Sequence, residues 1–282
     1  MLAAAFGCSK GDSAPPVATV SFSASKPRVT LGSPVELTYR FDVAPNATFD
    51  GDYRVFVHVN SPDGNTLWSD DHEPPTPTSQ WKGGQKVEYT RTKFVPVVPY
   101  LGEATVEIGL YKDDQRLPMQ GADPADRQST ARSYKVGTLH FLPASDNIFT
   151  VMKSGWHPAE YSSEDSALSW QWTQKSGVIS IRNPKTDVTL DLEYDARPDL
   201  FSDAPQQVTV YAGDQVVKTF TADSTSPTLL RIPITAAQLG PNEMTDLRID
   251  VDKTFTPARL PAGGRDTREL GIRVYHVFVE GR

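Results

Sequence analysis

The densest group of potential metal ligands in this chain is Asp70-Asp71-His72-Glu73. Alternate side chains of an extended strand share a face, so Asp70 and His72 could meet one ion while Asp71 and Glu73 point away. Two ligands fall short of the four that a zinc site uses. With Pro74-Pro75-Thr76-Pro77 following, the plainer reading is a solvated acidic loop stiffened by prolines. A second carboxylate set, Asp250, Asp252 and Asp266, could converge with backbone carbonyls on a structural calcium ion, which takes six to eight oxygens. Asp250 and Asp252 equally suit the wet face of an edge strand, and Asp266 suits an ion pair with Arg268. The expectation is therefore no resident metal and no cofactor, with calcium as the alternative.

Aromatic residues offer recognition chemistry. Trp170 and Trp172 lie two apart and share one strand face; with Trp156, Glu160 and Tyr161 they are candidates for a sugar-stacking or protein-docking surface if that face is outward, and core if it is inward. Trp68 and Trp81 carry the same two readings. Covalent catalysis finds little support: the five histidines are scattered, no Gly-x-Ser-x-Gly elbow occurs, and Ala262-Gly263-Gly264-Arg265 opens no helix that would cradle a phosphate. Glu160 and Glu164 could act as acid and base only at a separation that spacing does not set. The chain reads as a non-enzyme.

The elements that must position these residues are strands. The period is two in Val17–Phe22, Val35–Phe41 and Tyr53–Val59, with further strands expected at Lys86–Phe94, Ala104–Tyr111 and Ser133–Phe141. Turn chemistry at Leu31-Gly32-Ser33-Pro34, Pro62-Asp63-Gly64-Asn65 and Lys82-Gly83-Gly84 separates them. That pattern predicts an immunoglobulin-like antiparallel sandwich over residues 17–143. The pattern breaks around Leu142–Asn147. A second series follows at Leu168–Thr173, Val178–Arg182, Val188–Tyr194, Gln207–Ala212, Gln215–Thr221, Thr228–Ile234, Asp246–Val251 and Gly271–Glu280, which predicts a jelly-roll, galactose-binding-like sandwich over 148–282. One helical turn is expected at Thr235–Asn242, closed by Gly240 and barred by Pro241. The fold class is all-β, two tandem antiparallel sandwiches behind a tether at residues 1–16.

The 282 residues carry 28 Lys and Arg against 35 Asp and Glu, a net charge of −7, with no basic cluster, which argues against nucleic acid as a partner. The single cysteine, Cys8, cannot form an internal disulfide. It follows Leu2-Ala3-Ala4-Ala5-Phe6-Gly7 and precedes a Ser/Gly/Pro-rich stretch, Ser9–Pro16. That context resembles the processing site of a bacterial lipoprotein. The resemblance implies lipid attachment at Cys8, removal of Met1–Gly7, and an extracytoplasmic, membrane-anchored location, periplasmic or at the cell surface.

The second half also resembles the β-sandwich regions appended to bacterial envelope glycosyltransferases. Gly155-Trp156 with Glu160, Trp170-Gln171-Trp172-Thr173, Phe255-Thr256-Pro257-Ala258 and Asp266-Thr267-Arg268-Glu269-Leu270-Gly271-Ile272 carry the likeness. In the first half Trp81-Lys82-Gly83-Gly84, Ile108-Gly109-Leu110-Tyr111 and Arg116-Leu117-Pro118 do so. The membrane spans that hold transferase activity in such enzymes have no counterpart in this sequence. The resemblance therefore implies an accessory module: a scaffold subunit of a membrane-associated protein assembly or, alternatively, a protein that binds envelope glycan.

Overall fold

The computed structural model describes residues 14–121, 131–163, 168–201, 203–261 and 263–282. Cys8 and Glu164 lie outside these. The chain divides into two compact units, Met1–Ala144 and Ser145–Arg282. Among the described residues no helix is long and apolar enough to cross a membrane.

In the first unit the strands are β1 (Ala18–Ala24), β2 (Arg28–Thr30), β3 (Pro34–Val43), β4 (Arg54–Asn60), β5 (Thr66–Ser69), β6 (Lys86–Phe94), β7 (Gly102–Lys112), β8 (Gln115–Arg116), β9 (Gln120–Gly121) and β10 (Tyr134–Leu142). One sheet has the order β6-β3-β1-β9 and the other β2-β10-β7-β4-β5, with β8 paired to β7. The first strand of the chain is split between the sheets, as in immunoglobulin-like sandwiches. β1 runs antiparallel to β3, and beyond Pro27, which has no N–H to donate, β2 crosses over to run parallel to β10. Alternation along β3 buries Leu37, Tyr39 and Phe41 against Val57, Ile108, Leu139 and other residues of the facing sheet.

β6 is an open edge. Its inward positions, set by register with Val35, Leu37, Tyr39 and Phe41, are Lys93, Arg91, Tyr89 and Val87. Two inward-pointing cations on an edge strand are a recognised defence against sheet extension, but they need a counterion. Asp70 supplies it. Its side chain is 2% exposed; Arg91 Nε and Nη2 donate to its two carboxylate oxygens at 3.0 and 3.1 Å, Lys93 Nζ lies 3.4 Å away, and the Tyr39 hydroxyl donates at 2.9 Å. His72 bridges to Val55, and its ring nitrogens lie 2.6 Å from the Asp70 carbonyl and 2.7 Å from the Tyr89 hydroxyl.

Asp70 and His72 do share a face, but it is buried, so the solvated-loop reading is wrong for both. The metal reading also fails for them, because the cations on Asp70 come from β6 itself. Asp71 faces the other way, with its Oδ1 accepting from Val57 N at 3.0 Å. Desolvation raises the Tyr39 and Tyr89 phenols and lowers the His72 imidazole.

On the outward face of the second sheet, Gly109 is required for space. The Phe56 ring lies where a Cβ would stand, and Arg116 caps that ring at 4.4 Å.

The second unit contains β11 (Thr150–Met152), β12 (Glu160–Tyr161), β13 (Ser169–Trp172), β14 (Ser176–Arg182), β15 (Val188–Asp195), β16 (Gln206–Ala212), β17 (Gln215–Ala222), β18 (Thr228–Ile234), β19 (Met244–Val251) and β20 (Arg273–Gly281). They form two antiparallel sheets, β11-β14-β19-β16-β17 and β12-β13-β20-β15-β18. The ribbon β14–β15 lies beside the ribbon β19–β20 in both sheets, which is the wound double hairpin of a jelly roll. Ile179, Leu190, Leu192, Val210, Ile232 and Ile249 are fully buried between the sheets. The single turn α1 (Ala236–Leu239) has a Thr235/Gln238 capping box and ends at Gly240, as expected. The strands β2, β5, β11 and β12, of two to four residues each, have too few positions to show a period of two, and none was anticipated.

Two stability tests follow. Asp70→Ala strands Arg91, Lys93 and the Tyr39 hydroxyl and should cost about 3–5 kcal/mol in urea unfolding. His72 has a folded-state value below its unfolded 6.5, so its neutral form contributes fully above pH 6.5 and that contribution is lost as pH falls toward the depressed value. Unfolding free energies measured downward from pH 6.5 should fall, and His72→Gln should flatten that slope.

Candidate functional site

The register of the β12–β18 sheet decides which side chains face out. Val274 is core and pairs with Gln171 and Tyr194; one residue along, Arg273 pairs with Trp172 and Asp195. Trp170, Trp172, Arg273 and Asp195 therefore share the outward face. A bulge between Glu193 and Tyr194 brings Tyr275 onto the same face, where its hydroxyl donates to Asp195 Oδ2 at 2.8 Å.

Arg273 is the centre of this surface. Its guanidinium lies 5.1 Å from the Trp170 ring, 5.6 Å from Trp172 and 5.3 Å from Tyr275, while Nε donates to Asp195 Oδ1 at 2.8 Å and Nη2 to Oδ2. Asp195 is only 1% exposed although it faces outward, because this fork and the rings cover it. Hydrogen bonding to Asp195 raises the Arg273 value, and burial followed by the same carboxylate raises the Tyr275 phenol, so both stay protonated. Beneath one end, Trp172 is buried with Phe255 and Leu270, and Leu200, Phe201 and Leu260 close around them. Farther along β15 the row continues with Glu193, bonded to His276 Nδ1 at 2.6 Å, and Asp191, paired with Arg231 at 3.3 Å.

A corner of loops frames the β13 end of this surface. Arg268 forks onto Asp266, with Nη2 to Oδ2 at 2.7 Å, and its Nη1 lies 2.7 Å from Glu160 Oε1; Glu160 Oε2 accepts from the Trp170 indole at 3.2 Å. These bonds hold Asp266 down at about 2 and raise the Arg268 value. The long 252–272 loop is closed by the Phe255–Leu270 bridge, and Gly271 N donates to Thr173 O at 2.7 Å.

The Gly-Trp motif locks the same corner. Gly155 has φ +76, and a Cβ there would collide with the Ser176 carbonyl; the Trp156 indole donates to Val178 O at 2.9 Å and packs over Gly177.

The expected recognition residues thus divide. Glu160, Trp170 and Trp172 come together, but Trp172 is buried and Trp170 shares a ring face with Arg273. Trp156 packs half-buried against the unit's core. Trp81 is 5% exposed, its ring tilted against Phe41 at 5.0 Å, and Trp68 packs partly buried against the first unit's core; neither belongs to this site.

The calcium carboxylates do not converge. Asp250 accepts from Ser176 and Arg248, Asp252 from Gln207 N at 2.7 Å, and Asp266 from Arg268. Among the described residues no group of three or more His, Cys, Asp or Glu is placed to hold a metal. Sequence reading missed Asp195, Arg273 and Tyr275. The signal was the row Asp191-x-Glu193-x-Asp195 in a strand whose other positions are Leu190, Leu192 and Tyr194.

No protein-family model matches the chain, and no curated protein matches it. Among solved structures, a Bacteroides uniformis β-glucuronidase aligns over 90% of this chain and 28% of its own, at 10% identity and TM-score 0.33. The CBM51-2 and INT domains of Clostridium perfringens ZmpB align over 64% of this chain and 37% of theirs, at 10% identity and TM-score 0.24. A collagen adhesin of S. aureus aligns over 94% and 96%, at 10% identity and TM-score 0.18. Likeness at this level assigns the chain neither family nor activity.

Gly155→Ala should destabilise the second unit by about 2–4 kcal/mol through the carbonyl clash and the positive φ. Gly213→Ala, at φ +57 with open space around it, should cost only about 1 kcal/mol. Paired urea titrations distinguish the two. Arg273→Ala leaves Asp195 buried without its fork and should cost about 2–4 kcal/mol.

Proposed function

We propose that the chain is a non-catalytic extracytoplasmic protein, anchored by lipid through Cys8, whose jelly-roll unit docks onto a membrane-associated protein assembly as an accessory subunit. One observation carries this reading: the ring faces around Arg273 are shared with the chain's own guanidinium. The result is a mixed Trp, Tyr and Arg surface edged by carboxylates. Trp, Tyr and Arg are the residues that dominate binding energy at protein interfaces. A sugar-stacking platform would offer a bare indole face, which Trp172 lacks entirely and Trp170 only partly presents.

Envelope glycan is the second reading, kept by half-buried Trp170; Tyr161, 68% exposed, pairs with Ser169 and so lies on the opposite side of the β12–β13 hairpin. Lipid attachment fits this role, since two or more acyl chains give stable membrane association and raise local concentration near membrane partners.

Affinity purification from detergent-solubilised membranes should recover a stoichiometric protein partner, and Trp170→Ala should lose it while the fold is retained. Recovery of a clean monomer, or Trp170-dependent binding to a glycan array, would displace the docking role. Mass spectrometry of the mature protein should show an N-terminal, acylated Cys8; an unmodified Cys8 behind an intact Met1–Gly7 would remove the anchor.

A further inference from the structure

We infer that the outward face of the β12–β18 sheet receives a cationic protein segment, one that presents Arg or Lys side chains; this rests on the docking role proposed above and names the partner's chemistry. The face already holds one guanidinium in the way it would hold another. Arg273 sits among Trp170, Trp172 and Tyr275 with Asp195 as counterion, a site made of aromatic rings and a carboxylate. Trp170 and Tyr275 remain half-buried, their ring centroids 6.1 Å apart, so part of each is open to a ligand.

Charge points the same way. Glu160, Asp191, Glu193, Asp195, Asp266 and Glu280 supply six carboxylates at this face and its loop corner, whereas Arg231, Arg268, Arg273 and Arg282 supply four guanidiniums. Glu193, a quarter exposed, pairs with His276, and Glu160, a third exposed, pairs with Arg268. The outward face of the other sheet differs. There Asp246 pairs with Lys153 and Asp250 with Arg248, and the Tyr211 ring is already covered by Arg248 at 4.1 Å. The excess of carboxylate beside open aromatic edges is thus confined to one side of the jelly roll. An anionic lipid or an acidic glycan would meet repulsion there, and a cationic segment would gain both ion pairing and ring contact.

The test uses the full chain and a fluorescein-labelled dodecapeptide of alternating Arg and Ser, with a Gln/Ser peptide as control. Fluorescence anisotropy should show saturable binding of the Arg peptide alone. Glu193→Lys should weaken it by about tenfold, with Glu193→Gln intermediate and still folded by circular dichroism. Asp214→Lys makes the same change in net charge at the β16–β17 turn, on the other sheet, and should alter binding by less than about twofold. Equal losses from Glu193→Lys and Asp214→Lys would reduce the effect to attraction by the −7 net charge and overturn the inference, as would absence of binding. A membrane partner recovered equally by wild type and by Glu193→Lys would also overturn it while leaving the docking role intact. Failure of the docking role itself is read separately, from the absence of any stoichiometric partner.

Discussion

A carboxylate removed from water costs several kcal/mol unless cations and hydrogen-bond donors surround it, and both units of this protein are organised around meeting that cost. In the first, Asp70 is matched by Arg91, Lys93 and Tyr39. In the second, Asp195 is matched by Arg273 and Tyr275. The Asp70 cluster ties segments that backbone pairing does not join, whereas the Asp195 cluster reinforces strands that are already paired. Asp70 belongs to the segment after β5, while its cations sit on an edge strand of the opposite sheet. Arg273, on the central strand β20, links Asp195 of β15 to the tryptophans of β13.

The two clusters differ in what they leave exposed. Around Asp70 the aromatic partners Tyr39, Tyr89 and His72 face into the sandwich, and the cluster seals the open side of the first unit. Around Asp195 the partners lie on the outward face of a sheet. The same device that pays for a buried charge there also fixes two half-open rings and a guanidinium in place. A surface whose side chains are already immobilised loses little conformational entropy on binding. Its suitability as an interface therefore follows from its structural role.

Much of the site was legible in part. Trp170 and Trp172 share a face because strand period is two, and the residues Gly155-Trp156, Thr173 and Leu270-Gly271 recur as one packed corner. What the local pattern lacked was the partner strand. Nothing within Ser169–Trp172 says that Arg273, about a hundred residues on, lies across from Trp172. For that reason the tryptophans read equally well as a sugar platform. Asp70 shows the same limit: beside Asp71, His72, Glu73 and four residues rich in proline it reads as solvent-facing, and only the inward turn of β6 makes it interior.

Period-two alternation, turn residues and the Thr235-to-Pro241 signals determine most strands, their inward faces and the single helical turn, because these depend on neighbours within a few residues. They also determine the all-β class. Tertiary structure alone decided where charge is buried. Whether a given Asp, Arg or Trp is solvent-facing, interior or part of an interface depends on which distant strand lies opposite, and that pairing is set by the register of whole sheets.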